Sequence, residues 1–244
     1  MADNSDDRIR LTLSRSTGFM LDVDLRLPSG GVTVLFGVSG CGKTTVLRSA
    51  AGLEKAQGYV RIAGQVWQDD EKHLFVPTYK RRIGYVFQEA SLFDHLNVRE
   101  NLRFGLKRIS DEDGEKRLDD AVELLGIGHL LERRTSELSG GERQRCAIAR
   151  SLAIKPTALF MDEPLAALDH ARRLEIVPWI DRLKKELNLP ILYVTHSEEE
   201  VMRLADRLAV IDNGKLIDNG PVAETWLHLM QKKGRKASRL LLVM

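Results

Sequence analysis

The run Gly37-Val38-Ser39-Gly40-Cys41-Gly42-Lys43-Thr44-Thr45 constrains the fold of this chain more than any other stretch. It follows the apolar segment Val32 to Phe36. It precedes a helical pattern with Val46, Leu47, Ala50 and Ala51 on one face, stopping at Gly52. Strand, Gly-rich loop and helix, in that order, are what a G-x-x-x-x-G-K-[ST] phosphate loop requires. The glycines let the backbone turn inward so that its N–H groups converge on a phosphate chain. A helix starting near Gly42 adds the positive end of its dipole. In that setting Lys43 reaches terminal phosphates and the Thr44 hydroxyl is a ligand for Mg2+. Taken alone, the motif has a plainer reading, a strand-to-helix turn with a solvated lysine.

The rest of the chain favours the first reading. Residues 1–8 read as a leader without structure. Ile9, Leu11 and Leu13 alternate with polar residues, as do Leu21, Val23, Leu25 and Leu27, which predicts two half-buried strands joined by a Ser/Gly turn. A hairpin is expected over 58–67 around Gly64, a charged loop over 68–82, and an apolar strand from Ile83 ending on Gln88. Residues 90–137 read as a helical insertion. Leu138-Ser139-Gly140-Gly141-Glu142 opens a helix with Cys146, Ala147, Ile148 and Leu152 inward. Ala158 to Met161 reads as a strand covered on both faces, ending in Asp162-Glu163-Pro164. A helix is expected over about 171–187, with Leu174, Val177, Ile180 and Leu183 on one face and a kink at Pro178. The strand Ile191 to Val194 ends at Thr195-His196, and Ser197 and Glu200 have capping-box spacing for the next helix. Asn213-Gly214 is a hairpin turn between Leu208–Ile211 and Leu216-Ile217. Strands alternating with helices imply an α/β fold with a mainly parallel sheet, in which ligands bind beyond the carboxyl ends of strands. Gly37, Gln88, Asp162 and His196 each follow an apolar strand, so the pattern sets them along one edge.

Several of these residues carry chemistry, each with a plainer rival. Asp162 stands where phosphate-loop enzymes keep the acid on the Mg2+ side, and a carboxylate one residue on, Glu163, can polarise a water for in-line attack. The rival is a helix N-terminal cluster, because Asp caps and Pro suits a first turn. Ser139 and Glu142 also fit a capping box. Two glycines are nevertheless poor in a helix's first turn unless the backbone must approach something closely, such as a phosphate on a neighbouring molecule. Gln88 is either a strand-end polar residue or an amide reaching Mg2+ or the attacking water. His196 is either a solvated loop histidine or a donor to a γ-phosphate oxygen. The net charge of +2 gives no argument for nucleic acid, and Cys41 and Cys146 show no metal spacing, which suits a reduced compartment. No signal peptide and no apolar run of about 18 residues is visible, so a membrane role would act through a partner.

Gly37–Thr45, Gln88, Leu138–Glu142, Phe160–Pro164, Leu168-Asp169 and His196 resemble, in order and spacing, the motif set of the ATP-binding cassette family, over about residues 9–228. Four segments are similar in finer detail to molybdate importer ATPases: Phe36–Gly40, Tyr85–Phe93, Val177-Pro178-Trp179 and Leu192–Ser197. The resemblance implies an α/β phosphate-loop NTPase fold with an antiparallel β subdomain, in a single domain over 1–244. It further implies a helical subdomain over about 90–137 and a tail over about 229–244. It implies ATP and Mg2+, with two copies sandwiching ATP head to tail. Gly37, Val38, Ser39, Gly40, Cys41, Gly42, Lys43, Thr44 and Thr45 of one copy would hold phosphates closed over by Ser139, Gly140 and Gly141 of the other. Thr44, Gln88 and Asp162 would serve Mg2+, Glu163 would be the general base, His196 would hold the γ-phosphate, and Asp169 would organise the seam. Integral membrane permease subunits would dock near Phe93, His95, Leu96 and Val98, with a substrate-binding protein acting indirectly and no nucleic acid. The location implied is peripheral, on the cytoplasmic face of the inner membrane. Other importer substrates (sulfate, phosphate, an organic solute) and a non-transport cassette are the alternatives.

Two departures from that pattern stand out. The family stacks an aromatic residue on adenine upstream of the phosphate loop, and here only Phe19 is nearby. Molybdate importer ATPases carry a C-terminal β-rich oxyanion-binding domain. Here Leu240 to Val243 reads either as the first strand of such a domain or as the end of a short cassette, after a basic, solvated stretch over 231–239. Modification of Cys41 is expected to block closure of the dimer.

Overall fold

The computed structural model describes residues 7–106 and 113–241. In chain order the elements are β1 (Arg8–Ser14), β2 (Met20–Arg26), β3 (Gly31–Phe36), α1 (Lys43–Ala51), β4 (Gln57–Ile62), β5 (Gln65–Asp69), β6 (Leu74–Phe75), β7 (Ile83–Val86), α2 (Val98–Arg103) and α3 (Gly114–Leu124). There follow α4 (Gly140–Ala153), β8 (Ala158–Asp162), α5 (His170–Glu186), β9 (Pro190–Thr195), α6 (Glu198–Leu204), β10 (Arg207–Asp212), β11 (Lys215–Pro221) and α7 (Val222–Leu241). One eleven-stranded sheet runs β6-β5-β4-β1-β2-β11-β10-β3-β9-β8-β7. The β10-β3-β9-β8-β7 half is parallel throughout. The β6-β5-β4-β1-β2 half is antiparallel, and a single parallel pair, Lys215↔Asp22, joins it to β11.

The parallel strands are apolar at successive positions because both faces are covered. Along β8, Leu159 and Met161 enter the core under the helices, whereas Ala158 and Phe160 enter the core shared with α1 and the antiparallel strands. β9 divides in the same way, with Ile191 and Tyr193 on the first side and Leu192 and Val194 on the second. This two-fold alternation locks register, since a one-residue slip would exchange every side chain between the cores. Parallel pairing then aligns the carboxyl ends of β3, β9, β8 and β7, which Gly37, His196, Asp162 and Gln88 terminate or closely follow.

The sequence pattern needs correction at several points. Asp7, placed in the leader, is buried: its carboxylate accepts from Ala63 N (2.6 Å) and Gly64 N (3.0 Å), and its carbonyl from Leu27 N. Residues 1–6 lie outside the described residues. The supposed loop 68–82 contains β6 and a buried arginine. Arg81 donates to Val76 O (2.7 Å) and Ala50 O (2.6 Å), with its guanidinium over Trp67 and Phe75. Those four partners are distant or irregular in sequence, so no periodicity announces them. Leu174 is exposed. Ile176 takes its place in the α5 stripe with Val177, Ile180 and Leu183, and the helix continues through Pro178. Val98 is fully buried and belongs to the core rather than to a docking surface. α7 extends over Val222–Leu241, so Leu240 and Leu241 are helical rather than in a strand; the rest of the expected strand, to Val243, lies outside the described residues. Among the described residues no helix is long and apolar enough to cross a membrane.

Candidate functional site

The loop between β3 and α1 has its shape for two separable reasons. At Gly37 a Cβ would lie 2.2 Å from Ile211 O, so close approach of β10 excludes a side chain. At Gly42 φ is +110°, and a Cβ would press on Phe19 and Leu21. Lys43 is only 3% exposed and donates to Gly37 O and Val38 O, both at 3.0 Å, so the lysine folds back over its own loop. The ammonium also faces Glu163 Oε1 at 3.7 Å. A cavity of about 310 Å3 opens here, lined by Arg15, Phe19, Ser39, Gly40, Gly42, Lys43, Thr44, Thr45, Gln88 and Glu163.

β8 and β9 bring the polar groups to this loop. Thr44 donates its hydroxyl to Asp162 Oδ1 at 2.7 Å, and Tyr85 donates to Oδ2 at 3.2 Å. Burial pushes the Asp162 carboxyl above the usual carboxylate range, and these two hydrogen bonds only partly oppose it. Glu163 adopts φ +44°, a left-handed conformation unusual for a side chain of its size, with its N–H on Val194 O. His196, 51% exposed, places Nδ1 3.1 Å from Glu163 Oε2. Lys43, Glu163 and His196 therefore form a continuous chain of ionisable groups beside Thr44 and Asp162.

The raised Asp162 carboxyl gives a testable consequence. A carboxyl whose folded pKa exceeds its unfolded value favours folding most below the unfolded pKa, and that contribution is lost as pH rises through the folded pKa. At neutral pH the buried charge is therefore a cost to the nucleotide-free chain. Asp162→Asn is expected to raise its Tm, by about 2–4 °C per kcal/mol relieved, and to flatten the decline in stability above the folded pKa. Thermal unfolding from pH 4 to 8 without nucleotide or Mg2+ measures this, and a lowered Tm would refute it.

Not every residue assigned by sequence meets in this cavity. Cys41 is buried beside Gly37, in the core that includes Ile211, and burial raises its thiol pKa. Its side chain belongs to the core, which removes the expected blocking by modification. Val38 is 69% exposed and lines an adjoining cavity with Gly37, His196, Ile217 and Leu229, which meets the loop cavity at Ser39; His196 thus reaches Glu163 from that side and does not line the loop cavity itself. Ser139, Gly140 and Gly141 lie at the α4 N-terminus, and none of them lines the loop cavity. Ser139 and Glu142 do form the capping box, at 3.3 and 2.7 Å, and the bond from Ser139 N holds Glu142 below the usual carboxylate range. A Cβ on Gly140 would meet Leu168 Cδ2 at 2.9 Å, an intrachain reason for that glycine. Ser139 and Gly141 line their own cavity of about 340 Å3 with Arg145, Arg172 and Trp179. Asp169 caps α5 by accepting from Arg172 N at 3.0 Å and is exposed.

Sequence reasoning missed Tyr85 and Arg15. Arg15 pairs with Glu54, donates to Thr45 Oγ1 at 3.4 Å and lies over the Phe19 ring at 5.5 Å. The Arg15-x-x-x-Phe19 turn, closed by Arg15 N to Phe19 O, was the only available signal.

Comparison with known proteins bears on the fold and the family. The fold is similar to the structure of cbiO1 from Clostridium perfringens, described as part of the ABC transporter complex cbiONQ. That likeness has a TM-score of 0.78 and 28% identity over 98% of this chain and 100% of the other. A second similar structure is an ATP-binding cassette solved as a dimer in a post-hydrolysis state with ADP and Pi (TM-score 0.71, 25% identity, 88% and 98% covered). In sequence the chain is 58% identical over 213 residues to the molybdenum import ATP-binding protein ModC of Thiobacillus denitrificans, covering 87% of this chain and 58% of the relative. It is 59% identical over 215 residues to that of Methylococcus capsulatus, covering 87% and 59%. The chain thus spans about three fifths of the length of these curated relatives. Residues 20–166, which hold the phosphate loop, Gln88, the Ser139–Gly141 run and the Asp162-Glu163 pair, match the ABC transporter family, and by that match the chain is a member of it.

Proposed function

We propose that this chain is the ATP-binding and ATP-hydrolysing subunit of an importer for molybdate or a related oxyanion, seated peripherally on the cytoplasmic face of the inner membrane. The observation that carries the ATPase reading is the juxtaposition of Lys43, Glu163 and His196 beside Thr44 and Asp162 at the sheet edge. In this reading the loop N–H groups and Lys43 hold the β- and γ-phosphates. Lys43 exchanges its bonds to Gly37 O and Val38 O for phosphate oxygens. Glu163 accepts a proton from the attacking water, and His196 donates to the γ-phosphate.

The donor set also fits Mg2+. Thr44 and Asp162 present hard oxygens 2.7 Å apart, and a buried carboxylate with a raised pKa gains from a cation. With Gln88 they would hold the ion, which supplies charge neutralisation on the phosphates when bound.

Because Ser139, Gly140 and Gly141 do not line the loop cavity of their own chain, the reading assigns them to the nucleotide of a second copy. Asp169 would lie at the seam. The single-domain reading of 1–244, with 90–137 as a helical subdomain, belongs to the same proposal, as does a tail over 229–244. Permease subunits would dock at the helical subdomain near Phe93, His95 and Leu96, with a substrate-binding protein on the far side of the membrane. The molybdate assignment draws on the printed names of the sequence relatives.

The test is ATPase activity of the chain reconstituted with its permease and substrate-binding protein. Molybdate and tungstate are expected to change turnover at concentrations where sulfate does not. A response to sulfate alone would replace the substrate, and no hydrolysis in any condition would end the ATPase reading.

A further inference from the structure

Near His196 a buried ionisable pair lies outside the chemistry described above. Tyr193 is on β9 with its side chain fully buried, and Glu200 is in the first turn of α6 at 5% exposure. The phenol donates to Glu200 Oε2 at 2.8 Å. Burial, with the carboxylate beside it, pushes the phenol's pKa well above its ordinary value, so Tyr193 stays protonated and remains the donor.

Ser197 and Glu200 have the spacing of a capping box, yet only half of one forms. Ser197 Oγ accepts from Glu200 N at 3.3 Å, whereas Ser197 N donates to Thr195 Oγ1 at 3.0 Å. Glu200's carboxylate is thereby released from the cap and spent on Tyr193. The neighbouring Glu198 and Glu199 are exposed, so a single acid of this turn is drawn inward.

These bonds converge on three residues. Thr195-His196-Ser197 links β9 to α6. The Tyr193–Glu200 bond ties the strand to the helix across it, and the Thr195–Ser197 bond closes it from within. His196 is the member of the link whose side chain leaves the core, and it lies 3.1 Å from Glu163. A buried polar pair seldom stabilises more than an apolar pair of the same volume. What it adds is a direction, because a hydrogen bond fixes the rotation of α6 relative to β9 where apolar contact tolerates slippage.

We propose that Tyr193 and Glu200 are a positioning pair that fixes the β9–α6 link and so sets the His196 imidazole against Glu163. The proposal rests on the ATPase reading for its kinetic consequence but not for its geometric one.

The experiment compares the full chain carrying Tyr193→Phe with Glu200→Leu, the chain carrying Glu200→Gln, and His196→Ala. The double change removes both polar groups, so no buried charge is orphaned, and its Tm is expected to stay within a few degrees of wild type. Its kcat is expected to fall about ten- to a hundredfold, as for a catalytic group displaced by a fraction of an ångström to an ångström, with KM for ATP nearly unchanged. The His196 imidazole NMR resonance is expected to shift. Glu200→Gln keeps an acceptor for the phenol, so kcat and the resonance should return close to wild type. A double variant with unaltered kcat and an unaltered His196 resonance overturns the proposal. A double variant that does not fold also overturns it, by making the pair structural. Wild-type turnover in His196→Ala would instead remove His196 from the ATPase reading, and the resonance would still report whether the pair positions it.

Discussion

Glu163→Gln is expected to retain MgATP, to cut turnover by about 10²–10⁴-fold, and to accumulate as a dimer closed on unhydrolysed nucleotide. The substitution changes little besides the charge. Glutamine has nearly the same shape, so the cavity lined by Lys43, Thr44 and Gln88 keeps its dimensions. The left-handed backbone at residue 163 costs on the order of 1–2 kcal/mol for any non-glycine residue, so both side chains bear it alike. Such strain persists where surrounding structure holds it, here through Glu163 N on Val194 O, and it recurs at working sites. What is lost is a carboxylate 3.7 Å from the Lys43 ammonium and 3.1 Å from His196. Removing that anion leaves Lys43 freer for phosphate and lowers repulsion toward a γ-phosphate, so binding is held or strengthened while the proton acceptor disappears. Nucleotide binding at equilibrium, single-turnover hydrolysis and size-exclusion chromatography with ATP measure the three parts. Wild-type turnover would remove Glu163 as the base.

The legible features were those written in the local chain. Gly42 must turn with a positive φ, Asp162 must end a buried strand and His196 must follow one, and Ser139 must cap α4, and each of these requirements leaves residue types at fixed spacing. Tyr85 was not legible, because its bond to Asp162 spans 77 positions and its ring looks like any strand aromatic. Cys41 was misread for a related reason. The motif fixes where the loop backbone goes, but only the packed core with Val46, Leu47 and Ile211 shows that the thiol turns inward. Glu200 was read as a capping residue from spacing alone, and a tertiary partner on β9 outcompeted the local one. Arg81 makes the same point in the antiparallel half, where a charged residue in a charged stretch proves to be buried under aromatic rings. Sequence thus shows what the backbone requires and is silent on which of two distant side chains wins a contact.

The same separation decides whether one chain holds a complete site. Ser139 is exposed at the start of α4, and its hydroxyl already serves Glu142 N. Replacing it by arginine gives up one cap, about 1 kcal/mol, and sends the long side chain into solvent, which the isolated fold tolerates. If the chain worked alone, Ser139→Arg would therefore leave hydrolysis nearly intact, because Ser139 does not border the Lys43 cavity. If a second copy's phosphate must seat against Ser139, Gly140 and Gly141, the arginine occupies its place and turnover is abolished. Lys43→Ala breaks the other half, removing the ammonium that closes the loop over Gly37 O and Val38 O and taking nucleotide affinity with it. A two-fold dimer pairs each loop with the partner's serine, so a chain of each kind together rebuilds one intact site beside one doubly broken site. Random mixing in equal amounts then restores up to about a quarter of the wild-type sites, because half of the dimers are mixed and each carries one good site. Two inactive proteins that regain ATPase activity only on mixing would establish a shared site. Activity in Ser139→Arg alone would return the site to a single chain, and silence after mixing, with both variants folded and heterodimers verified, would deny that the two halves meet across chains.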